Sequence, residues 1–124
     1  MAEPVIVYDE PADTLYIAFY PGESATGLKL SDHILLRVDK RNQRAIGITL
    51  LDFAILTSES ETGPRSFPLK GLDELTPESR KLALELLHLP PVRDYLILVE
   101  STTAGASVIP SAMLNMDKLV ARAA

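Results

Sequence analysis

Thr14-Leu15-Tyr16-Ile17-Ala18-Phe19-Tyr20 is a strand written in alternation. Leu15, Ile17 and Phe19 fall on one side and Tyr16, Ala18 and Tyr20 on the other, so one face is wholly apolar and the opposite face amphipathic. Upstream, Pro4-Val5-Ile6-Val7-Tyr8-Asp9 is rich in β-branched and aromatic residues, and Asp9-Glu10-Pro11-Ala12-Asp13 supplies a turn between the two strands. Downstream, Pro21-Gly22-Glu23-Ser24 ends the strand, and a short one over Thr26-Gly27-Leu28-Lys29-Leu30 leads through Ser31-Asp32 into His33 to Lys40. There Ile34, Leu36 and Val38 share a side against Leu35 and Arg37. After the polar turn Arg41-Asn42-Gln43-Arg44, Ala45 to Leu51 repeats the alternation with Ile46, Ile48 and Leu50 inward. From Val5 to Leu51 this is an antiparallel β-meander of four to five strands.

Three parts of that stretch carry a resemblance: Tyr8-Asp9-Glu10-Pro11-Ala12-Asp13-Thr14-Leu15-Tyr16-Ile17, the apolar strand ending Val38-Asp39, and Ile46-Gly47-Ile48-Thr49-Leu50-Leu51-Asp52. Together they resemble the small bacterial family catalogued as domain of unknown function family 2283, over about residues 4–55. The resemblance implies a meander followed by a helix. It carries no established activity, although some members look like the antitoxin-side partner of small ribonuclease-like toxins. The C-terminal half extends beyond the family's usual short form.

The chain has 124 residues, of which 47% are apolar, the size and composition of a single domain (1–124) with one core. Its parts are the meander over 4–52 and a helix, a strand and a C-terminal helix over 66–124. The absence of cysteine removes disulfides, thiol nucleophiles and cysteine-ligated metal. Met1-Ala2-Glu3-Pro4 has no basic leader, and no run approaches the ~18 apolar residues of a membrane span, so a cytoplasmic protein that engages no membrane is expected. The net charge is -5. Basic residues are dispersed, and the densest group, Lys40-Arg41-Arg44, reads as a solvated turn. Nucleic acid is therefore not an expected partner, whereas a small basic protein is electrostatically favoured.

Beyond the meander, Asp52-Phe53-Ala54-Ile55-Leu56 fits either more strand or a helical turn. Thr57 to Arg65 is polar with Gly63-Pro64 near its end, which suits a surface loop. Ser66 to Gly71 suits a short extended piece that Pro68 confines to an edge. Thr76-Pro77-Glu78 is a helix start, and the helix should run to about His88 with Leu75, Leu82, Leu86 and Leu89 on one stripe. Asp94 to Glu100 reads as a central or doubly covered strand. Ser101 to Ser107 forms a loop of small residues, Val108-Ile109 suits a brief strand, and Ser111 to Ala124 reads as a helix with Met113, Met116 and Val120 on one side.

Chemistry is sparse. Asp9 and Asp13 flank a turn and could bind a cation, but aspartates recur in turns because they satisfy backbone donors. His33 and His88 are the only histidines, and neither has the spacing of a chelating pair. Ser24, Ser31, Ser101 and Ser111 lack a nucleophile elbow, and Asp39 and Asp52 read as strand-end turn formers rather than an acid–base pair. No catalytic, cofactor-binding or metal-binding residue is assigned. The reading is an α+β fold, its meander covered by a helix, acting as a protein-interaction or regulatory module, antitoxin-like in its affinity for a basic partner; the alternative is a small-molecule binder or enzyme with a pocket between sheet and helices.

Two structural expectations complete it. Val5, Val7, Leu15, Ile17, Phe19, Ile34, Leu36, Val38, Ile46, Ile48 and Leu50 share the buried face, closed by Leu82 and Leu86. Tyr8, Tyr16, Tyr20, Leu35 and Leu51 lie on the opposite face, which, with the C-terminal helix, offers a homodimer surface.

Overall fold

Alternating strands with one apolar side need a partner layer. In the structure, a computed structural model that describes residues 4–57, 59–60, 63–64, 66–100, 110–115 and 118–119, that layer comes from the second half of the chain. Strands β1 (Val5–Asp9), β2 (Thr14–Ala18), β3 (Thr26–Lys29), β4 (Ile34–Asp39) and β5 (Arg44–Leu51) form one antiparallel sheet in the order β1-β2-β5-β4-β3. Successive strands pair within β1-β2 and within β3-β4-β5. The two runs join where β2 lies against β5, with Ile17 opposite Ile48 and Leu15 opposite Leu50.

The chain after β5 turns at once into helix α1 (Phe53–Thr57), settling that ambiguity for a helix. The polar stretch that follows contains a small hairpin, β6 (Glu59–Ser60) with β7 (Gly63–Pro64), where the sequence suggested only a loop. Strand β8 (Ser66–Pro68) is indeed an edge strand, and a 3-10 turn over Lys70–Glu74 leads into α2 (Pro77–Leu87). The start of α2 is as its sequence dictates: the Thr76 hydroxyl accepts from the Ser79 amide at 3.2 Å, with Pro77 in the first turn. A second 3-10 turn at Val92–Asp94 precedes β9 (Leu96–Glu100), and β10 (Pro110–Leu114) lies between β8 and β9 in a second, three-stranded sheet.

One core holds these layers together. Leu15, Ile17, Leu36, Val38, Ile48 and Leu50 of the large sheet share a buried cluster with Leu82, Ala83, Leu86 and Leu87 of α2 and Leu96, Ala112 and Leu114 of the small sheet. Each of the valine, leucine and isoleucine side chains among them contributes ~1.5–3 kcal/mol by leaving water. Leu82 and Leu86 therefore close the face as expected, while Leu89, beyond the end of α2, is 52% exposed.

Several expectations change. Val5 and Val7 are exposed, because Val5 stands opposite Ala18 and Val7 opposite Tyr16; Ile6, opposite Ile17, packs on the core instead. Tyr8 stands opposite Leu15 and so belongs to the inner side, at its margin, with its ring 5.7 Å from that of Phe53. Ile46 is buried, but a bulge between Arg37 and Val38 puts Ala45 opposite Val38 and leaves Ile46 as the extra residue, outside the core cluster. Strand β9 is an edge of its sheet rather than a central strand, and Ile97 on it is exposed.

The expected C-terminal helix is present but starts later than Ser111. The first residues expected in it form β10, where Ala112 faces Phe67 on one side and Leu98 on the other. Pairing on both edges outweighs a weak helical pattern. Met113 therefore belongs to a strand, and helix is found at residues 118–119. Met116, Val120, Val108-Ile109 and the loop from Ser101 to Ser107 lie outside the described residues.

Candidate functional site

With the inner face in the core, the outer face of the large sheet is what remains to be explained. Its residues lie in register across the strands. Val7, Tyr16, Thr49, Leu35 and Lys29 make one row from β1 to β3, and Val5, Ala18, Gly47, Arg37 and Gly27 make the next. Asp9, Thr14 and Leu51 make a third, continued by His33, whose carbonyl accepts from the Leu51 amide. Val5, Val7, Tyr16 and Leu51 are 40 to 54% exposed, whereas Thr14, Gly47 and Thr49 among them are buried, so the face presents apolar groups around a closed centre. A contiguous apolar surface of this kind marks an interaction site more often than scattered exposed residues do.

Charges on this face are of two kinds. At one end, Arg44 bonds to Asp39 and Glu23 and lies 4.2 Å over the Tyr20 ring, a closed cluster. Hydrogen bonds from Asn42 and Arg44 outweigh desolvation and hold the Asp39 carboxyl below its ordinary range. Arg37 and Asp9, by contrast, are half-buried on the face, and among the described residues neither has an ion-pair or side-chain hydrogen-bond partner.

A cleft of about 410 Å³ lies where the turn before β4 meets the segment from Phe67 to Glu74. Lys29, Asp32, His33, Phe67, Lys70 and Glu74 are among the residues that line it, and Lys29 lies 3.5 Å from the Asp32 carboxylate. His33 Nδ1 is buried 3.0 Å from Asp52 Oδ2, within ion-pair distance but off the line a hydrogen bond requires. The Ser31 hydroxyl oxygen accepts from the amides of His33 and Ile34, which fixes the turn and employs the oxygen structurally. With two lysines and two carboxylates in its lining, the cleft can hold a small polar molecule beside the His33 ring.

The other sequence candidates form no second cluster among the described residues. Asp13 accepts from the Tyr8 hydroxyl at 2.7 Å and from the Ala54 amide, while Asp9 stands apart on the outer face, so the two aspartates do not share a cation. That hydrogen bond to Asp13 and desolvation raise the Tyr8 pKa. His88 Nδ1 lies 2.7 Å from the Leu84 carbonyl at the end of α2. Asp39 and Asp52 sit at opposite ends of the β4–β5 hairpin, Ser24 is exposed, Ser111 is buried in β10, and Ser101 lies outside the described residues. Among the described residues no three histidine or carboxylate side chains come together to hold a metal ion. Sequence reasoning missed the His33–Asp52 pair, although the hairpin register, Ile34 opposite Leu50, already brings His33 beside Leu51.

No curated protein and no solved structure matches the chain. Residues 6–53, the large sheet through the first residue of α1, match the family model described as protein of unknown function (DUF2283), and the C-terminal half of the chain lies outside that match.

Proposed function

We propose that this protein is an interaction module that works by burying the outer face of its large sheet against another polypeptide. One observation carries the reading: Val5, Val7, Tyr16 and Leu51 stay exposed on the face of the sheet that turns away from the core cluster. Removing such a face from water is favourable at ~25 cal/mol per Å². The net charge of -5 favours a basic protein as a further, regulatory partner of the assembled module, as in the antitoxin-like role. The test is Tyr16→Glu, read by light scattering for self-association and by pull-down against the wild type for other proteins. A mass or a retained protein that changes with Tyr16→Glu supports the reading; identical behaviour of the two proteins in both assays removes it.

A second reading, a small-molecule site, is favoured by the cleft around His33. Titrating the protein with phosphate and with acetate while following the His33 ring resonances tests it, and unchanged resonances at millimolar concentration exclude these anions.

A further inference from the structure

We infer that the polypeptide that covers the outer face is a second copy of this chain, packed with its strands crossed and joined by two Arg37–Asp9 ion pairs. This rests on the interaction-module reading and names its partner.

Two charges on the face have no partner among the described residues. Arg37 is a half-buried cation flanked in its row by Gly27 and Gly47, with no acidic partner among the described residues. Asp39, two residues along the same strand, is already taken by the Asn42 amide group and Arg44. Asp9, at another corner of the same face, is a carboxylate that likewise has no partner among the described residues. A charge withdrawn into an apolar interface is costly unless it meets its opposite, so a partner for this face must present a carboxylate over Arg37 and a cation over Asp9. A second copy presents both.

The register says how. From Arg37 on β4 to Asp9 on β1 is three strand spacings across the sheet and four residues along it. At ~4.8 Å per strand and ~3.4 Å per residue, both displacements come to ~14 Å. The line joining the two residues is thus at about 45° to the strands. The two-fold axis that exchanges them lies in the face, perpendicular to that line, and therefore turns one set of strands about 90° from the other. Orthogonal crossing is one of the two ways in which sheets pack face to face.

The remaining residues agree with that axis. It runs from the Val5 corner, between Tyr16 and Thr49, to the His33 corner. Val7 of one copy then falls over the low ground of Ala18 and Gly47 of the other, and Leu51 falls over Leu35. Each copy's Val5 meets its counterpart on the axis. Apolar groups meet apolar groups, and the charges left over are the ones that pair. In an isologous contact each pair occurs twice.

The experiment measures mass by light scattering from ~1 to 100 µM, with circular dichroism and denaturation midpoints to verify folding. The wild type should be a dimer. Arg37→Asp and Asp9→Arg should each weaken dimerisation by about tenfold or more, and the double variant R37D/D9R should regain it. The chain has no cysteine, so Val5→Cys supplies a second readout: a short bismaleimide that spans the ~10 Å between packed sheets should give a covalent dimer, and with Gly27→Cys, away from the axis, it should not. A dimer indifferent to Arg37→Asp, or one that fails to crosslink through Val5→Cys, overturns the crossed arrangement even where Tyr16→Glu disperses it and so upholds the face. A wild type monomeric at 100 µM overturns self-association, and the Tyr16→Glu pull-down then judges the face independently.

Discussion

The Asp13 carboxylate accepts from the amide of Ala54, 41 residues along the chain, at 3.1 Å. The Asp13 carbonyl accepts from the Phe53 amide at 3.0 Å. The β1–β2 turn thus satisfies two free amides of α1 and fixes where that helix leaves the sheet. Asp13 does so at a φ of 50°, in the left-handed region that aspartate tolerates better than most residues.

Three substitutions at Asp13 separate these roles. Asp13→Asn keeps an acceptor and the backbone preference, and should cost least. Asp13→Gly keeps only the backbone freedom and loses the bonds to Ala54 and Tyr8, at ~0.5–2 kcal/mol. Asp13→Ala loses the bonds and also strains the left-handed position, adding ~1 kcal/mol. Urea denaturation gives the order; an Ala variant as stable as the Asn variant would contradict both contributions.

Core placement is tested by Leu36→Ala and Phe19→Ala. Leu36 is fully buried, and the Phe19 ring lies 5.9 Å from that of Tyr95, so each truncation should cost ~2–5 kcal/mol. Val7→Ala, on the open face, should cost under ~1 kcal/mol in the monomer. Equal denaturation midpoints for Leu36→Ala and Val7→Ala would mean that the two faces of the sheet have been exchanged.

How much of this was legible in the sequence depended on whether a pattern had a phase. In β2 the apolar Leu15 and Ile17 flank the amphipathic Tyr16, so the inner side could be read directly. In β1, Val5, Ile6 and Val7 are consecutive apolar residues, and only pairing with β2 shows that Ile6 is the inward one. Strand β10 was misread because Met113 happens to fit a helical stripe, whereas its state is decided by β8 and β9, neither of which is local. The cleft joins residues near 31, 52 and 70, three places without a motif between them. Arg37 reads as a strand charge and Asp9 as a turn former, and only the strand register places them on one face.

Acid should expose the turn after β4. The Asp39 carboxyl is held below its ordinary range by the side chain of Asn42, by the Asn42 amide and by Arg44. A carboxyl depressed in the folded state adds stability above its unfolded pKa of ~3.9, and that stability is lost as pH falls through the lower folded value. Asp39→Asn should therefore lower the denaturation midpoint at pH 7 and leave it near that of the wild type in strong acid. A difference between the two proteins that stays constant from pH 7 to about pH 2 would assign the effect of Asp39 to packing instead.

Gly71 joins the two halves of the chain. Its amide donates to the Leu30 carbonyl at 2.9 Å, tying the 3-10 turn that leads into α2 to the end of β3. A Cβ built on it would stand 2.0 Å from the Lys29 carbonyl oxygen, and that neighbour is backbone, with no rotamer to change. Gly71→Ala must therefore push the turn away from β3, break the bond to Leu30 and deform the cleft beside it, at ~1–3 kcal/mol or more. Gly22→Ala is the control: its φ of 85° makes any side chain strained, but nothing lies within 4 Å of the added carbon, so it should cost about 1 kcal/mol and leave the cleft unaltered. The decisive measurement is amide exchange at Gly71 and in α2 alongside the denaturation midpoint. Faster exchange there in Gly71→Ala, with β1 and β2 still protected, shows the second half loosening from an intact sheet. Exchange that quickens equally in α2 and in β1 and β2 at a lowered midpoint would mean that the two halves unfold only together, and that the Gly71–Leu30 contact is not what couples them.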